Sequence, residues 1–568
     1  MLRFFLKIVK NYKRRHAGLR PAAVLLLLGL CGGAGAAGES VVAASHPLAA
    51  QAGMAVLKAG GNAVDAAAAV QFALNVVEPQ SSGIGGGAFL LIHLAKTGEN
   101  VVVDARETAP AAATADQFSA HAFRENSESG LSVGVPGTLA GFAEAQRRWG
   151  RQTLAAVLKP AIALARDGFA VTPYLAKSLT SPRAALQPET RALYRDEAGN
   201  PLRQGFWLRQ PELAHTFELI AAQGPDVFYR GEVARAIVQA QRRSAMGPDG
   251  IGRMTLADLA GYRPEMRTPL TGRYRGATLV TMPPPSSGGV ALLQALALLE
   301  RFPLGHAPGY GPDETLGTHV TIEALRIAMA DRARWLGDPA ATSVPLDRLL
   351  SPERLAAVSR AIDPEKRLPA PPELSAPEGR NTTHFSVVDA EGNVVTCTST
   401  VEAAWGSGIL VPGYGFLLNN ELTDFNRVPR AGPGDPGAND VRPGMRPRSS
   451  MAPTLVFQGR RWWLAYGSPG GPTIISSVLE TTEELLDDGL SGDAAVRLPR
   501  YAVLDGAGHT LVERSMPQPL LDALRARGHL LQETDRPIGS VQVVGEDPVT
   551  HERWGAADPR RDGTVLRY

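Results

Sequence analysis

A threonine at the junction of a proline-rich segment and a strand-like run is the residue best placed to do chemistry. Asn381-Thr382-Thr383-His384 follows Pro364–Arg380, which holds five prolines and few apolar residues. If the chain is cut between Asn381 and Thr382, the hydroxyl of Thr382 lies beside a free α-amino group. Such an amine has an ordinary pKa of about 7.7–8.0, so it can act as a general base for a threonine that is otherwise a weak nucleophile. The pattern also fits a strand that simply begins with two threonines.

The strands after this junction are expected to place a second hydroxyl beside the first. Thr383–Asp389 and Val394–Val401 are rich in β-branched residues and are separated by Ala-Glu-Gly-Asn, which predicts a hairpin. If Asp389 faces Val394, Thr383 pairs with Thr400, give or take one residue. Thr400 could then hydrogen-bond Thr382, although an ordinary cross-strand threonine pair gives the same pattern.

Helical and strand-like patterns alternate along the rest of the chain. Helices are predicted from Pro47 to the Gly60-Gly61 stop, from the Asn62 N-cap to about Val76, after the Pro283–Gly289 turn, over Leu316–Trp335, and over about Thr473–Asp488. Further strands are predicted at Ala88–His93, Asn100–Asp104, Gly415–Asn419, Thr454–Phe457, Trp462–Tyr466, and finally near Ser540–Val544. Helices flanking sheets of short strands indicate a layered α/β sandwich.

Several other chemistries find no support in the sequence. Gly83–Gly87 does not complete the dinucleotide-binding pattern, and Gly130–Gly134 matches G-x-S-x-G without the strand and helix that a nucleophile elbow needs. Two cysteines, Cys31 and Cys397, exclude a cysteine-rich zinc site and a disulfide framework. We therefore expect no cofactor and no metal ion.

The first 37 residues resemble an export signal. They hold seven basic side chains and no acidic ones, followed by an apolar run from Ala22 to Cys31 and small residues up to Ala37. The remaining chain has 51 basic and 56 acidic side chains, a formal charge of −5 that gives no reason to expect nucleic-acid binding. We expect a periplasmic or secreted protein, with a retained signal anchor as the alternative.

The residues around Thr382 resemble the maturation signature of the gamma-glutamyltranspeptidase (glutathione hydrolase) family. Similar segments occur in the family's order along nearly all of the chain after the leader. They are Asn62–Ala66, Gly83–Gly87, Arg106-Glu107, Pro136–Thr138, Pro283–Gly289, Leu336–Pro339, Thr382–Asp389 with Gly392-Asn393, Ser449–Met451, Gly467–Gly471 and Asp558–Arg560.

This resemblance implies an αββα sandwich of the N-terminal-nucleophile hydrolase type. It also implies a precursor that cuts itself between Asn381 and Thr382. The products would be a large subunit, residues 38–381 ending in the linker 364–381, and a small catalytic subunit, residues 382–568, which remain together as a heterodimer. Thr382 would then take the γ-glutamyl group from glutathione or a related amide and pass it to water or to an acceptor amine.

The resemblance also implies roles for individual pocket residues. Thr400 matches the second threonine that holds the nucleophile, and the backbone N–H groups of Gly470 and Gly471 match the oxyanion hole. The substrate's α-carboxylate and α-ammonium would be recognised by five side chains, namely Arg106, Ser449 and Ser450 for the carboxylate, and Glu421 and Asp424 for the ammonium.

Two features depart from the family pattern. Glu402 stands where many members carry asparagine, so we expect three carboxylates around the ammonium site or a retained hydrogen bond to the substrate amine. The stretch between Phe425 and Ser449 is short and has no aromatic residue, although members with a substrate lid usually place a ring there. An open site would favour water over an acceptor peptide.

Two other functions remain open from the sequence. A cephalosporin (glutaryl) acylase or a poly-γ-glutamate-processing relative would keep the nucleophile and change the acyl group. A non-catalytic periplasmic binding protein would keep the pocket and never be cut. In each case the partner is a small molecule, and membrane contact would come only through an uncleaved signal.

Overall fold

Two antiparallel sheets form the centre of the protein in a computed structural model that describes residues 38–243, 246–369, 381–504 and 508–568. The seven-stranded first sheet has the spatial order Thr564–Arg567, Val41–Ala44, Thr383–Val388, Val394–Thr400, Gly87–Leu94, Glu99–Ala105, Glu265–Arg267. The six-stranded second sheet has the order Arg553–Ala557, Gln542–Glu546, Arg461–Gly467, Thr454–Gln458, Ala277–Thr281, Leu270–Tyr274. Two small sheets consist of Tyr501–Val503, Thr510–Glu513 and Leu531–Thr534, and of Phe169–Ala170 and Trp207–Leu208.

Helices cover both outer faces of the paired sheets. The helices that precede Leu270–Tyr274 in the chain are Pro47–Lys58, Ala63–Val77, Phe123–Ser127, Thr138–Trp149, Leu154–Asp167, Pro173–Ser178, Pro188–Tyr194, Pro211–Gln223, Asp226–Tyr229, Glu232–Ala240 and Leu256–Gly261. Those after it are Gly288–Leu299, Thr315–Trp335, Leu346–Leu349, Pro352–Ser359, Thr473–Leu486, Gly492–Ala495 and Gln518–Ala526.

The alternation of side chains along the first sheet separates two hydrophobic cores. In Val41–Ala44, Val42 and Ala44 pack with the helices Pro47–Lys58 and Ala63–Val77. Val41 and Ala43 point the other way, into the core shared with the second sheet and its covering helices. Because successive strand residues face opposite sides, one strand contributes to both cores. The result is four layers, αββα, and the predicted fold class is confirmed.

The helix boundaries follow from local capping. Gly60 has φ +85° directly after the first helix, a left-handed conformation in which a side chain would be strained. Asn62 then accepts hydrogen bonds from the N–H groups of Val64 and Asp65, while the Asp65 side chain accepts from the Asn62 N–H. This reciprocal capping box starts the helix Ala63–Val77 at the predicted residue.

The hairpin register differs by one residue from the predicted pairing of Asp389 with Val394, and the prediction allowed a shift of one residue. Val394 pairs with Val388, so Thr383 lies opposite Ser399. Asp389 leaves the strand because its carboxylate accepts hydrogen bonds from the N–H groups of Glu391 and Asn393 inside the turn.

Two predicted features at other positions were wrong. Gly415–Asn419 is not a strand; it makes one isolated bridge, Leu410 with Leu417, because this segment turns through two left-handed glycines, Gly413 and Gly415. The strand near Ser540 spans Gln542–Glu546 and does not end the sheets, since Arg553–Ala557 and Thr564–Arg567 follow it. Short, polar-interrupted strands of this kind give weak periodicity.

The predicted export signal and most of the predicted linker cannot be compared with the structure. The leader, residues 1–37 with Cys31, lies outside the described residues, as do residues 370–380 of the linker. Cys397 is buried with a free thiol. No helix in the described ranges is both long enough and apolar enough to span a membrane.

Candidate active site

The ends of several central strands meet at one edge of the sandwich. Thr382 precedes Thr383–Val388, and Thr400 ends the neighbouring antiparallel strand. Arg106 directly follows the end of another strand, Glu99–Ala105. Together with loops from the second sheet they line a cleft of about 270 Å3, whose walls are Arg106, Thr382, Thr400, Glu402, Glu421, Asp424, Ser449, Ser450, Met451, Gly471 and Ile474. The structure thus brings together nine of the predicted site residues, with Gly470 and Asn381 adjoining them in the chain.

Thr400 contacts both sides of the predicted cut. Its hydroxyl donates a hydrogen bond of 2.9 Å to the carbonyl oxygen of Asn381. It accepts one of 3.5 Å from the hydroxyl of Thr382 and one of 2.8 Å from the N–H of Glu402. A hydroxyl has one donor and two acceptor positions, so these three bonds use its full capacity and fix its direction.

The side chain of Asn381 contacts both sides of the predicted cleavage site. Its Nδ2 donates to the carbonyl oxygen of Gln80 at 2.7 Å, and its Oδ1 accepts from the N–H of Thr382 at 3.1 Å. Arg561 donates to that same Oδ1 and, at 2.6 Å, to the carbonyl oxygen of Thr382. Sequence reasoning missed Arg561, although it directly follows the Asp558–Arg560 segment of the family resemblance.

His384, two residues beyond Thr382, is turned away from this chemistry. Its ring is buried against Gly467 and contacts the hydroxyls of Thr398 and Ser386. Burial lowers its pKa to about 3, so the ring is neutral. It therefore packs between the two sheets and does not serve as a base for Thr382.

Arg106 is buried in direct contact with the predicted acidic pair. Its guanidinium donates to Glu421 and, at 2.6 Å, to Asp424. It also donates to the carbonyl oxygens of Pro447 and Arg448. Burial alone would lower its pKa, but the charges of Glu421, Asp424 and other carboxylates outweigh that effect and raise it.

Three carboxyl groups, those of Glu421, Glu107 and Glu402, lie close enough to interact electrostatically. Burial raises the pKa of Glu421 well above its ordinary value, Arg106 opposes this, and the charges of Glu107 and Glu402 reinforce it. Burial also raises the pKa of Glu107, which sequence reasoning had noted only as part of a motif. The pKa of Glu421 is therefore raised even though the Arg106 guanidinium contacts it.

Glu402 joins this acidic group to the nucleophile. Its backbone has φ +79°, its N–H donates to Thr400, and its carbonyl oxygen accepts from the N–H of Asn381 at 3.2 Å. Its carboxylate accepts a hydrogen bond from the side chain of Asn420. Glu402 lines the cleft, as expected if it belongs to the ammonium site.

Hydrogen bonds from neighbouring residues fix the positions of Ser449 and Ser450. The hydroxyl of Ser450 accepts a hydrogen bond of 2.8 Å from buried Arg332, another residue that sequence reasoning missed. The hydroxyl of Ser449 accepts from the N–H of Met451, and its carbonyl oxygen accepts from the N–H of Ser287 in the Pro283–Gly289 turn. This turn thus positions the predicted carboxylate-binding serines.

Gly470 and Gly471 form the turn between the strand Arg461–Gly467 and the helix Thr473–Leu486. Their φ angles are +136° and +59°, and a Cβ on Gly470 would lie 2.3 Å from the Thr473 hydroxyl oxygen. Among the described residues, neither backbone N–H has a hydrogen-bond acceptor. Amides free at a helix N-terminus are suited to stabilising an oxyanion.

The segment between Phe425 and Ser449 is pinned down by one aspartate. Asp440 accepts hydrogen bonds from the N–H groups of Arg430 and Ala431 and from the side chain of Asn426. These contacts fold the segment into a tight loop that offers no aromatic ring to the cleft.

An αββα sandwich with a threonine at the start of a central strand is the arrangement of N-terminal-nucleophile hydrolases. The family model for gamma-glutamyltranspeptidase matches residues 49–568, and the chain belongs to this family of enzymes, as its sequence suggested.

Some relatives of this chain are named glutathione hydrolases and others are named acylases. It is 38% identical over 554 residues to the glutathione hydrolase proenzyme of Bacillus subtilis (strain 168), covering 93% of this chain and 91% of that one. It is 39% identical over 544 residues to the acylase ACY 1 proenzyme of Pseudomonas sp. (strain V22), covering 93% of both. The crystal structure of cephalosporin acylase from Bacillus halodurans superposes with a TM-score of 0.82 at 32% identity, covering 93% of this chain and 96% of that one.

Proposed function

We propose that the protein is a self-processing γ-glutamyl hydrolase and transferase that acts on glutathione or related γ-glutamyl amides through an acyl group on Thr382. The observation that carries this proposal is the position of Thr400, bonded at once to the Asn381 carbonyl oxygen and to the Thr382 hydroxyl. The naming of the relatives as proenzymes supports a precursor that must be cut.

The first reaction is the cut itself. Thr400 polarises the Asn381 carbonyl by donating a hydrogen bond to it, and it orients the Thr382 hydroxyl by accepting one from it, while the Thr382 oxygen attacks the carbonyl carbon. The new C–O bond replaces the C–N bond, the proton goes to the leaving nitrogen, and water then hydrolyses the ester. The products are residues 38–381 and 382–568, and Thr382 gains a free α-amino group.

The free α-amino group of Thr382 acts as the general base in each catalytic cycle. It takes the proton of the Thr382 hydroxyl as the oxygen attacks the γ-glutamyl carbonyl, and the N–H groups of Gly470 and Gly471 stabilise the oxyanion. The leaving amine receives the proton, and water or an acceptor amine then releases the γ-glutamyl group. Ping-pong kinetics follow from this acyl-enzyme.

The charged groups of the cleft select the acyl group. The substrate's α-carboxylate contacts Arg106, Ser449 and Ser450, and its α-ammonium contacts Glu421 and Asp424. Arg106 forms ion pairs with both of these carboxylates in the structure, so a zwitterionic substrate replaces these two internal ion pairs with contacts to its own carboxylate and ammonium. Glu402 adds a third negative charge on the ammonium side.

The pinned loop between Phe425 and Ser449 supports hydrolysis over transfer. Without an aromatic ring over the cleft, water reaches the acyl-enzyme readily. The basic and apolar leader supports export, so the enzyme would act in the periplasm or outside the cell.

A glutaryl acylase is the second candidate. The relatives named acylase are as similar to this chain as those named glutathione hydrolase, and the superposed structure at a TM-score of 0.82 is a cephalosporin acylase. A glutaryl group keeps the carboxylate for Arg106 and has no ammonium for Glu421 and Asp424.

Matched anilides separate the two candidates. We expect kcat/KM for the γ-glutamyl anilide to exceed that for the glutaryl anilide at least tenfold. The reverse order would assign the protein to the acylases. Activity on neither would contradict both.

A further inference from the structure

A second cleft lies at the far end of the helix that begins beside the oxyanion glycines. The helix Thr473–Leu486 is about 21 Å long, and its last turns present acidic side chains to a narrow cleft that is open to solvent. The cavity is lined by Leu304, Tyr310, Gly311, Pro312, Asp313, Gly317, Thr318, Glu480, Glu483, Glu484, Asp488, Leu498, Pro499 and Tyr501. None of these residues belongs to the catalytic cleft.

The negative charge in this cavity is poorly balanced. Glu480 and Glu484 are 4% and 6% exposed, and one oxygen of each, Glu480 Oε1 and Glu484 Oε2, has no hydrogen-bond partner. The nearby Arg500 donates to Asp558 at 2.6 Å and Arg275 is bonded to Asp487, and the charge of Arg500 offsets those of Glu480 and Glu484 only in part. A buried carboxylate without a partner is costly unless it is protonated or meets a cation.

The helix itself adds to the demand for positive charge. Its C-terminal end carries the negative pole of the helix dipole, where acidic side chains are unfavourable and cations are stabilising. Burial raises the pKa of Glu484 to about 8 and that of Asp488 to about 7, with neighbouring carboxylates such as Asp313 reinforcing both shifts.

The arrangement of the carboxylates favours an extended cation over a single metal ion. In the described parts of the chain, the one group of three metal-ligating atoms within 4.8 Å of one another is His319, Glu323 and His529, and none of these residues lines this cavity. Glu480 and Glu484 instead lie one turn apart, about 6 Å along the helix, and Asp488 follows two residues beyond the helix end.

Two aromatic rings complete the lining. Tyr310 and Tyr501 both line the cavity, and aromatic rings suit ammonium groups and the methylene chain between them. Pro312 at the cavity is exposed, so the cavity opens to solvent there. We propose that this cleft binds a linear aliphatic di- or polyamine, with its ammonium groups beside Glu480, Glu484 and Asp488.

Thermal unfolding of the processed enzyme at constant ionic strength, with spermidine as the probe, tests this inference. A ligand that binds only the folded state raises the melting temperature saturably. We expect such a rise for the wild type and for the control Glu218→Gln, which removes an exposed charge on another helix. The double variant Glu480→Gln/Glu484→Gln should need at least tenfold more spermidine for the same shift.

Three results would overturn the inference: no rise in the wild type, an equal rise in the double variant, or calcium chloride reproducing the rise at equal concentration with the same loss in the variant. If the double variant does not fold, Asp488→Asn at the half-exposed end of the row replaces it. Hydrolysis of a γ-glutamyl anilide by the double variant should match the wild type. This second readout separates a failed amine site from a failed catalytic assignment.

Discussion

The hydroxyl of Thr400 donates a hydrogen bond of 2.9 Å to the carbonyl oxygen of Asn381, the residue before the proposed nucleophile. Thr400 therefore contacts the carbonyl of the bond proposed to be broken as well as the hydroxyl of the proposed nucleophile, Thr382. It is held in this position by the N–H of Glu402, whose left-handed backbone turns the amide toward it.

Replacing Thr400 should slow the cut without unfolding the protein. Loss of one donor to a developing oxyanion costs about 10²–10³ in rate, so Thr400→Ala should convert precursor to two chains at least a hundredfold more slowly. Thr400→Ser keeps the hydroxyl and should stay within tenfold of the wild type. A time course on denaturing gels measures both. Equal rates for alanine and wild type would remove Thr400 from the cut.

Asp424 should govern the choice between γ-glutamyl and glutaryl groups. Asp424→Asn removes a charge from the ammonium site, and hydrogen bonds to charged groups contribute about 1.5–3 kcal/mol. We expect kcat/KM for the γ-glutamyl anilide to fall at least tenfold while that for the glutaryl anilide changes less than threefold. Asp116→Asn, at an exposed position, is the matched control. Equal losses on both substrates would mean that Asp424 does not contact the ammonium.

Substrate binding should release a proton from Glu421. Burial raises the pKa of this carboxyl, and an ammonium group beside it would favour the ionised form and lower that pKa. Calorimetric titration of L-glutamate into the processed enzyme should therefore give a binding enthalpy that changes with the buffer's ionisation enthalpy. The same heat in phosphate and in Tris would contradict the assignment.

The substitution Glu402→Gln tests the electrostatic interaction between Glu402 and Glu421. The charge of Glu402 helps to raise the pKa of Glu421, so its removal should lower that pKa. The acid limb of the kcat/KM profile should then move to lower pH, and the proton release should shrink. A shift to higher pH would show that Glu402 stabilises the ionised form.

Stability should fall as the pH rises through the range set by Glu484. Its folded pKa is about 8 and its ordinary value is 4.5, mainly because of burial. A raised carboxyl pKa stabilises the fold below the ordinary value, and this contribution is lost as the pH approaches the folded pKa. The slope for one proton is at most about 1.4 kcal/mol per pH unit.

Glu484→Gln should remove that part of the slope between pH 4.5 and 8. Urea unfolding of the wild type and the variant across this range measures the difference. Parallel curves would mean that Glu484 is ionised throughout.

The sequence was sufficient for those parts of the fold that local rules decide. The N-cap at Asn62 and the run of β-branched residues at Thr383 each indicate the local structure that is observed. Gly415–Asn419 was wrongly predicted as a strand because it holds a short apolar run, while the left-handed glycines Gly413 and Gly415 direct the backbone into turns. Short final strands were missed because their pairing depends on distant partners.

The site could be predicted only where a motif carried it. Arg106 and Glu421 are 315 residues apart, and only the family resemblance suggested that they share a pocket. Their direct pairing, the support of Ser450 by Arg332 and the contact of Arg561 with the bond to be cut are tertiary facts. No periodicity or spacing in the sequence encodes them.

Intact mass and N-terminal sequencing of the purified wild type and of Thr382→Ala test the central claim most directly. The wild type should give two chains, the smaller beginning at Thr382, and the variant one uncut chain with no γ-glutamyl hydrolysis. A wild type that stays whole, or a Thr382→Ala protein cut at the same bond, would contradict self-processing by this threonine.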